Sequence, residues 1–333
     1  MHFIRAAGFM AGYHNALKEY QLNSEALKIP TSVFEHPMTL LPTCEFNDLL
    51  TRLEHLSQDP DYILNVSKKV ALVNIGSVEK WMYSGHDLTS MIRRINSGIS
   101  CLQSGAFVTG KQSGRITKWT YRSPSIGSSA KVHDSIRVAI FMVKAMKVYL
   151  GDQFTPIRVM LSGSRVNKHK YRDYFGCDIG WNHSQTEIWF NSELRLLPAQ
   201  TVSNHKASLP INLRDLDDFL NMPQFEDEMK VVYETINYSC HYGYPTLKRV
   251  SNLMGLSEQQ FQRKFAKQGY SFTTLCGYVL SNEAVNLFSR GYSIEDTYKR
   301  LGYRNVESFN RMFKKQRGLT PIQYVKRFQS GFH

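Results

Sequence analysis

A chain of 333 residues with 42% hydrophobic and 12% aromatic residues can fill two ordinary cores, which excludes wholesale disorder and a string of many domains. Its net charge is +13, and residues 245–333 carry 15 Lys/Arg against 5 Asp/Glu, so +10 of the excess sits in about a quarter of the chain. That concentration suits a polyanionic partner, although a solvated basic surface carries the same charge.

The first twenty residues, MHFIRAAGFMAGYHNALKEY, hold an apolar stretch broken by Gly8 and Gly12, too short to span a membrane and followed by no strong cleavage signal. Asp87 precedes LTSMIRRINSGI, an amphipathic helix with a plausible cap. A longer helix is expected over 132–150, closed by Gly151. Runs rich in β-branched and aromatic residues predict strands at 115–121, 155–163 and 186–194, so residues 1–200 read as an α/β domain. Within it, Gly105 to Lys111 fits the phosphate-loop spacing G-x-x-x-x-G-K. However, Gln112 stands where Ser or Thr should bind magnesium, and a turn and strand follow where a helix is required. The pattern loosens over 201–224, a linker with a short helix expected at 213–220. Residues 225–333 then read as consecutive short helices separated by glycines.

Five dispersed cysteines (Cys44, Cys101, Cys177, Cys240, Cys276) without a C-x-x-C pair read as reduced thiols in a cytoplasmic protein, not as a zinc site. The zinc-protease and nucleophile-elbow motifs are absent, and the histidines are scattered, so no catalytic residue, metal or cofactor is expected. Trp181, Trp189, Phe190 and Tyr174 suit either a ligand pocket or, more often, a core. Arg165, Lys168, His169, Lys170 and Arg172 read as a solvated loop rather than an anion site.

The helical segment repeats a single pattern. TLKRVSNLMGLSEQ (246–259) parallels SIEDTYKRLGYRNV (293–306): a cap, a short helix, a glycine turn, and a second cap at Ser257 or Asn305. That is the plan of a helix-turn-helix. At 100° per residue, Phe261 and Phe265, like Phe309 and Phe313, fall on one face of the second helix. The opposite face presents Gln259, Gln262, Arg263 and Ala266 in the first copy, and Glu307, Asn310, Arg311 and Lys314 in the second. These are mostly residue types that hydrogen-bond base edges or phosphates. A single helix of about 19 residues between the copies would span about 28 Å, against about 34 Å between successive major-groove faces.

These residues resemble the DNA-binding domain of the AraC/XylS family of bacterial transcription regulators over roughly 230–330. The resemblance is most specific in L-G-Y-x5-F-x-R-x-F-K-K-x2-G-x-T-P-x-x-Y at 301–324. It implies an all-α domain with two helix-turn-helix units joined by a linker helix. Gln259, Gln262, Arg263, Glu307, Asn310 and Arg311 would read bases, and Ser257, Asn305 and Lys314 would lie near phosphates. Two departures stand out: Ser251 and Tyr298 occupy a position usually held by a small residue, and Leu280 one often held by arginine. The second unit is therefore expected to contribute less base affinity. Residues 156–198, with Tyr-x-x-x-Phe-Gly at 171–176, resemble the end of the regulatory domain in the ornithine-utilisation subgroup of that family. That resemblance implies small-molecule sensing, subunit pairing in a homodimer, or both.

The combined expectation is a two-domain, non-enzymatic, sequence-specific DNA-binding regulator. The family resemblance makes it an activator with double-stranded DNA and RNA polymerase as partners and a small-molecule effector. The alternatives are a constitutive regulator without effector and an enzyme with a regulatory helical tail.

Overall fold

Phe3–Arg5 (β1), buried at every position, pairs antiparallel with Leu40–Pro42 (β2) in a computed structural model that describes residues 1–70, 81–198, 216 and 219–330. Helices α1 (Met10–Glu19), α2 (Thr43–Ser57) and α3 (Tyr62–Lys68) follow from apolar spacing. In α2, Phe46, Leu49, Leu50 and Leu53 recur at helical intervals and are all enclosed. Helix α4 (Leu88–Leu102) starts where the sequence indicated. Asp87 Oδ1 accepts from the Ser90 N–H at 2.7 Å, and the Asp87 N–H donates back to Ser90 Oγ at 3.1 Å.

A five-stranded sheet follows: β3 (Phe107–Ser113), β4 (Ile116–Arg122), β5 (Arg158–Met160), β6 (Asp178–Gly180) and β7 (Thr186–Asn191), in the order β3-β4-β7-β5-β6. Only β5 and β6 run parallel. Strand β4 alternates cleanly, with Thr117, Trp119 and Tyr121 turned inward, and the long helix α5 (Lys131–Leu150) packs on β7. Helix α6 (Lys168–Phe175) ends at Gly176, whose φ of 69° suits glycine.

The phosphate-loop spacing lies on β3. Residues 107–113 form an edge strand in a hairpin with β4, so no loop wraps an anion there. The strand expected over 155–163 is regular only at 158–160. The Ile157 and Leu161 N–H groups nonetheless continue it, bonding the carbonyls of Trp189 and Gly180, each at 2.8 Å. Strand β7 stops at Asn191 because its side chain accepts from the Glu193 N–H at 3.0 Å and turns the chain into a short 3-10 helix, Ser192–Leu196. Of the short helix expected at 213–220, the described residues Leu216, Phe219 and Leu220 are helical, and most of the linker at 201–224 lies outside the described residues.

Two readings of the amino-terminal half need correction. The four aromatics are divided among separate contacts. Phe190 is core, Trp189 lies beneath the Lys118 ammonium at 3.9 Å, Trp181 meets Tyr171 edge-on at 5.0 Å, and Tyr174 meets Phe175 at 4.9 Å. Nor is the basic cluster merely solvated. Arg165 pairs with Glu54 at 3.0 Å and donates to His133 Nδ1 at 2.9 Å, while Lys170, Asn167 and Tyr171 all donate to the wholly enclosed Asp61 carboxylate.

His133 is itself enclosed and donates from Nε2 to Glu54 at 2.9 Å. Burial, reinforced by the Arg165 charge, pushes its pKa down to about 3. A histidine neutral when folded but protonated when unfolded favours the unfolded state as pH falls below about 6.5. Its contribution is intact above that pH and is lost progressively towards pH 3. We expect the stability of this half to fall by about 1.4 kcal/mol per pH unit through that window. Because all four tryptophans lie in residues 81–189, urea titrations followed by tryptophan emission at pH 7 and pH 5 measure it. Equal stabilities at the two values would contradict the assignment.

The chain divides at 224/225 into two units. The second consists of α7 (Glu228–Ser239), α8 (Leu247–Leu253), α9 (Glu258–Ala266), α10 (Phe272–Ser289), α11 (Ile294–Arg300), α12 (Val306–Arg317) and α13 (Pro321–Ser330). Its core is continuous, with Val232, Ile236, Val250, Phe261, Phe265, Val279, Leu280, Phe309 and Phe313 among its members. The fold is thus an α/β unit followed by an all-α unit with two helix-turn-helix elements about a central helix.

Candidate nucleic-acid interface

The two copies are built by the same local chemistry. Thr246 and Ser293 cap α8 and α11, each accepting from the N–H three residues on. Both helices then end in the same turn. The Gly255 and Gly302 N–H groups bond the carbonyls of Asn252 and Lys299 at 3.0 Å, and the next N–H groups reach Ser251 and Tyr298 at 2.9 Å. Both glycines are left-handed, with φ of 68° and 78°. Ser257 opens α9 with a reciprocal capping box to Gln260, and Asn305 opens α12 by accepting from the Ser308 N–H at 2.9 Å.

From those caps the helices correspond position by position. Phe261 and Phe265 of α9, and Phe309 and Phe313 of α12, have no exposed surface. Burying each phenyl ring is worth about 1.5–3 kcal/mol, so these residues fix which face is left for a partner. On that outer face Gln259, Gln262 and Arg263 are exposed, as are Glu307, Arg311 and Lys314, and so are the caps Ser257 and Asn305. Asn310 departs from expectation, being half-buried where its counterpart Gln262 is exposed. Glu307 stands in the first turn of α12, where a carboxylate also complements the helix dipole. Arg311 donates to Ser308 Oγ at 3.3 Å along its own helix.

The bulk of Tyr298 is accommodated at the margin of the core, partly buried, while Thr297 beside it is fully enclosed. Leu280 lies wholly in the core on α10, the helix that joins the copies. At 18 residues, α10 is about 27 Å long.

Residue-by-residue reading of the helix faces missed some of the basic surface. Arg263, Lys264 and Lys267 line a shallow polar hollow with Leu256, Gln260 and Gln268. Lys264 is tied to Glu228 at 2.7 Å, whereas Lys267 is exposed one turn beyond Arg263. The i, i+4 spacing of Arg263 and Lys267 was the available signal, obscured because α9 ends at Ala266. In the second copy Arg304 and Lys315 are also exposed. Among the described residues no group of three or more His, Cys, Asp or Glu could hold a metal ion, and no helix is long and apolar enough to cross a membrane. None of the five cysteines is bonded to another.

An α/β unit followed by a duplicated helix-turn-helix with a basic outer face defines a regulator class, and comparison with known proteins agrees. Residues 24–199 match the arabinose-binding domain of AraC transcription regulators, and residues 250–327 match a helix-turn-helix domain family. The chain belongs to the AraC family of transcription regulators. Uncharacterized HTH-type transcriptional regulators of Mycobacterium bovis and Mycobacterium tuberculosis are each 32% identical over 85 residues, 25% of this chain and 25% of theirs. The chain thus matches about a quarter of the length of those curated relatives. The crystal structure of the transcriptional regulator CdpR from Pseudomonas aeruginosa aligns over 95% of this chain and 96% of its own, with 14% identity and a TM-score of 0.45.

Proposed function

We propose that the chain is a transcription activator that places α9 and α12 in successive major grooves of double-stranded DNA. The observation that carries this reading is the position-for-position equivalence of the two helices, with phenylalanines inward and hydrogen-bonding or basic residues outward. Gln259, Gln262 and Arg263 from one copy, and Glu307, Asn310 and Arg311 from the other, are the base readers. Lys314 supplies a phosphate contact. Ser257 and Asn305 use their side-chain oxygens as helix caps, leaving the serine hydroxyl hydrogen and the asparagine amide to donate to phosphates. The amino-terminal unit senses a small molecule, pairs subunits, or does both, and the DNA-bound protein recruits RNA polymerase. Binding an effector shifts the population only as far as its affinity differs between the two states.

Replacing Arg263 with alanine should cost about 1–3 kcal/mol of binding to a cognate duplex and relax preference at one base. Lys314→Ala should instead weaken cognate and scrambled duplexes alike and reduce the salt dependence by about one phosphate contact. Titrating both variants on both duplexes across a salt series measures the difference. An unchanged cognate-to-scrambled ratio for Arg263→Ala would remove it from the base readers.

A further inference from the structure

A cavity of about 200 Å³ lies within the amino-terminal unit, where the end of β4 and the start of β7 meet the first turn of α5. Its wall is rich in hydroxyls, from Ser123, Ser135, Ser162, Ser184 and Thr186. The enclosed ones are mostly spent within the protein. Ser135 Oγ accepts from the Ser162 N–H at 2.9 Å and shares a hydrogen bond with Thr186 Oγ1 at 2.7 Å, while Ser123 Oγ accepts from Gln103 at 3.0 Å. Ser162 differs. The residue is only 3% exposed, its hydroxyl has no partner in the protein, and that oxygen keeps surface open to the cavity it lines. A hydroxyl so enclosed is costly unless something in the cavity bonds it.

The charges around the cavity set the sign of what enters. Helix α5 is 20 residues long, and its cap position holds Ala130, which has no side-chain oxygen to offer. The Lys131, Val132 and His133 N–H groups therefore have no acceptor, and a helix end in that state attracts anions. Lys131 and Arg122 line the cavity from exposed positions, and neither is paired with an acid among the described residues. Asp134 is the one acid on the wall, and both its oxygens are engaged: Oδ2 accepts from the Tyr121 hydroxyl at 2.7 Å and Oδ1 from Arg137 at 2.5 Å. The Arg137 guanidinium thus offsets the Asp134 charge, and the two outer cations remain in surplus. A neutral polyol could bond Ser162 but would leave those cations and the helix end unanswered, whereas an oxyanion serves all three.

From the open Ser162 hydroxyl, the uncapped end of α5 and the two unpaired cations, we infer that this cavity binds a small phosphate monoester, with its phosphate towards Ser162, Lys131 and the first turn of α5. The inference rests on the reading of the amino-terminal unit as a sensor and names the chemical class it senses. A phosphate carries nearly two charges and three terminal oxygens, so it uses donors on several sides where a planar, singly charged carboxylate cannot. The volume exceeds the roughly 150 Å³ of an apolar cavity that admits benzene, which leaves room for a few heavy atoms beyond the phosphate.

The test is calorimetric titration of the full chain with glycerol 3-phosphate, glycerate, inorganic phosphate and glycerol. Glycerol 3-phosphate should bind one per chain, at least about tenfold tighter than glycerate or inorganic phosphate, with no binding of glycerol. Ser162→Ala should weaken the ester about tenfold without lowering the melting temperature of the unliganded protein, because the hydroxyl it removes bonds nothing there. Lys131→Glu should abolish binding and also keep the melting temperature, since a carboxylate in the first turn of α5 complements the helix dipole. Arg263→Ala, in the other unit, should leave ester affinity unchanged. Equal affinity for the ester and for glycerate, inorganic phosphate or glycerol would overturn the assignment, as would undiminished binding by Ser162→Ala or Lys131→Glu. Duplex binding measured on the same preparations without any ester separates the two readings. A chain that binds glycerol 3-phosphate but no DNA defeats the regulator reading alone, and one that binds DNA but no ester defeats the cavity assignment alone.

Discussion

Replacing Gly302 with alanine should unfold residues 225–333 under conditions where the equivalent change at Gly255 is tolerated. Both glycines close a helix-turn-helix turn with positive φ, so any L residue there costs about 1–2 kcal/mol. Their surroundings differ completely. A Cβ at Gly255 meets nothing within 4 Å, whereas one at Gly302 falls well inside 3.0 Å of the Tyr244 backbone nitrogen and of the Gly243 carbonyl carbon. The second turn is pressed against the loop between α7 and α8, where the Tyr244 ring meets Tyr303 edge-on at 5.2 Å. Backbone cannot swing aside as a side chain can, so Gly302→Ala should cost more than about 4 kcal/mol. Helical circular dichroism reports the loss, and tryptophan emission, which comes only from residues 81–189, should keep its urea midpoint. Equal stability of the two alanine variants would show that the second turn does not approach this loop.

Phe313→Ala and Arg311→Ala, two residues apart on α12, should separate folding from recognition. Phe313 has no exposed surface and packs edge-on against Phe288 of α10 at 5.8 Å and Tyr324 of α13 at 5.5 Å, with Phe309 at 5.9 Å. Removing its ring leaves a cavity where three helices meet, at a cost of about 3–5 kcal/mol. Arg311 is exposed, and its bond within the helix is long, so its loss should move stability by less than about 0.5 kcal/mol. On DNA the order reverses. Below its unfolding transition the fraction of folded Phe313→Ala should bind with wild-type preference, while Arg311→Ala should lose about 1–3 kcal/mol on the cognate duplex. Denaturant titration beside duplex titration checks both. A stability loss for Arg311→Ala matching that for Phe313→Ala would place Arg311 in the fold rather than at the interface.

Much of the carboxy-terminal unit was legible because its determinants are local. Caps at Ser257 and Asn305, glycine turns at Gly255 and Gly302, and phenylalanines four residues apart each act within one or two helical turns, and a second copy repeats them. What distinguishes Gly302 from Gly255 is a loop some sixty residues upstream, which nothing near either glycine encodes. Distance also hid the charges of the amino-terminal unit. Arg165 and Lys170 look like members of a basic loop until Glu54 and Asp61, more than a hundred residues earlier, fold against them. Strand β3 was obscured differently: Gly105, Gly110 and Lys111 carry a phosphate-loop spacing rather than a strand pattern, and the pairing of β3 depends on β4 across the turn at Gly114. Ser162 gave no signal at all. In sequence it is one serine near the end of an expected strand, and only packing against Ser135 of α5 sets it beside a cavity.

The central claim is that one chain reads two adjacent major grooves through α9 and α12, and selection of bound duplexes from a random library by the full chain tests it most directly. With α10 about 27 Å long between the copies, the account predicts two blocks of base preference centred about 10–10.5 base pairs apart on one face of the duplex. Arg263→Ala should erase preference within one block and Arg311→Ala within the other. A single block, or duplexes recovered without sequence preference, would contradict it.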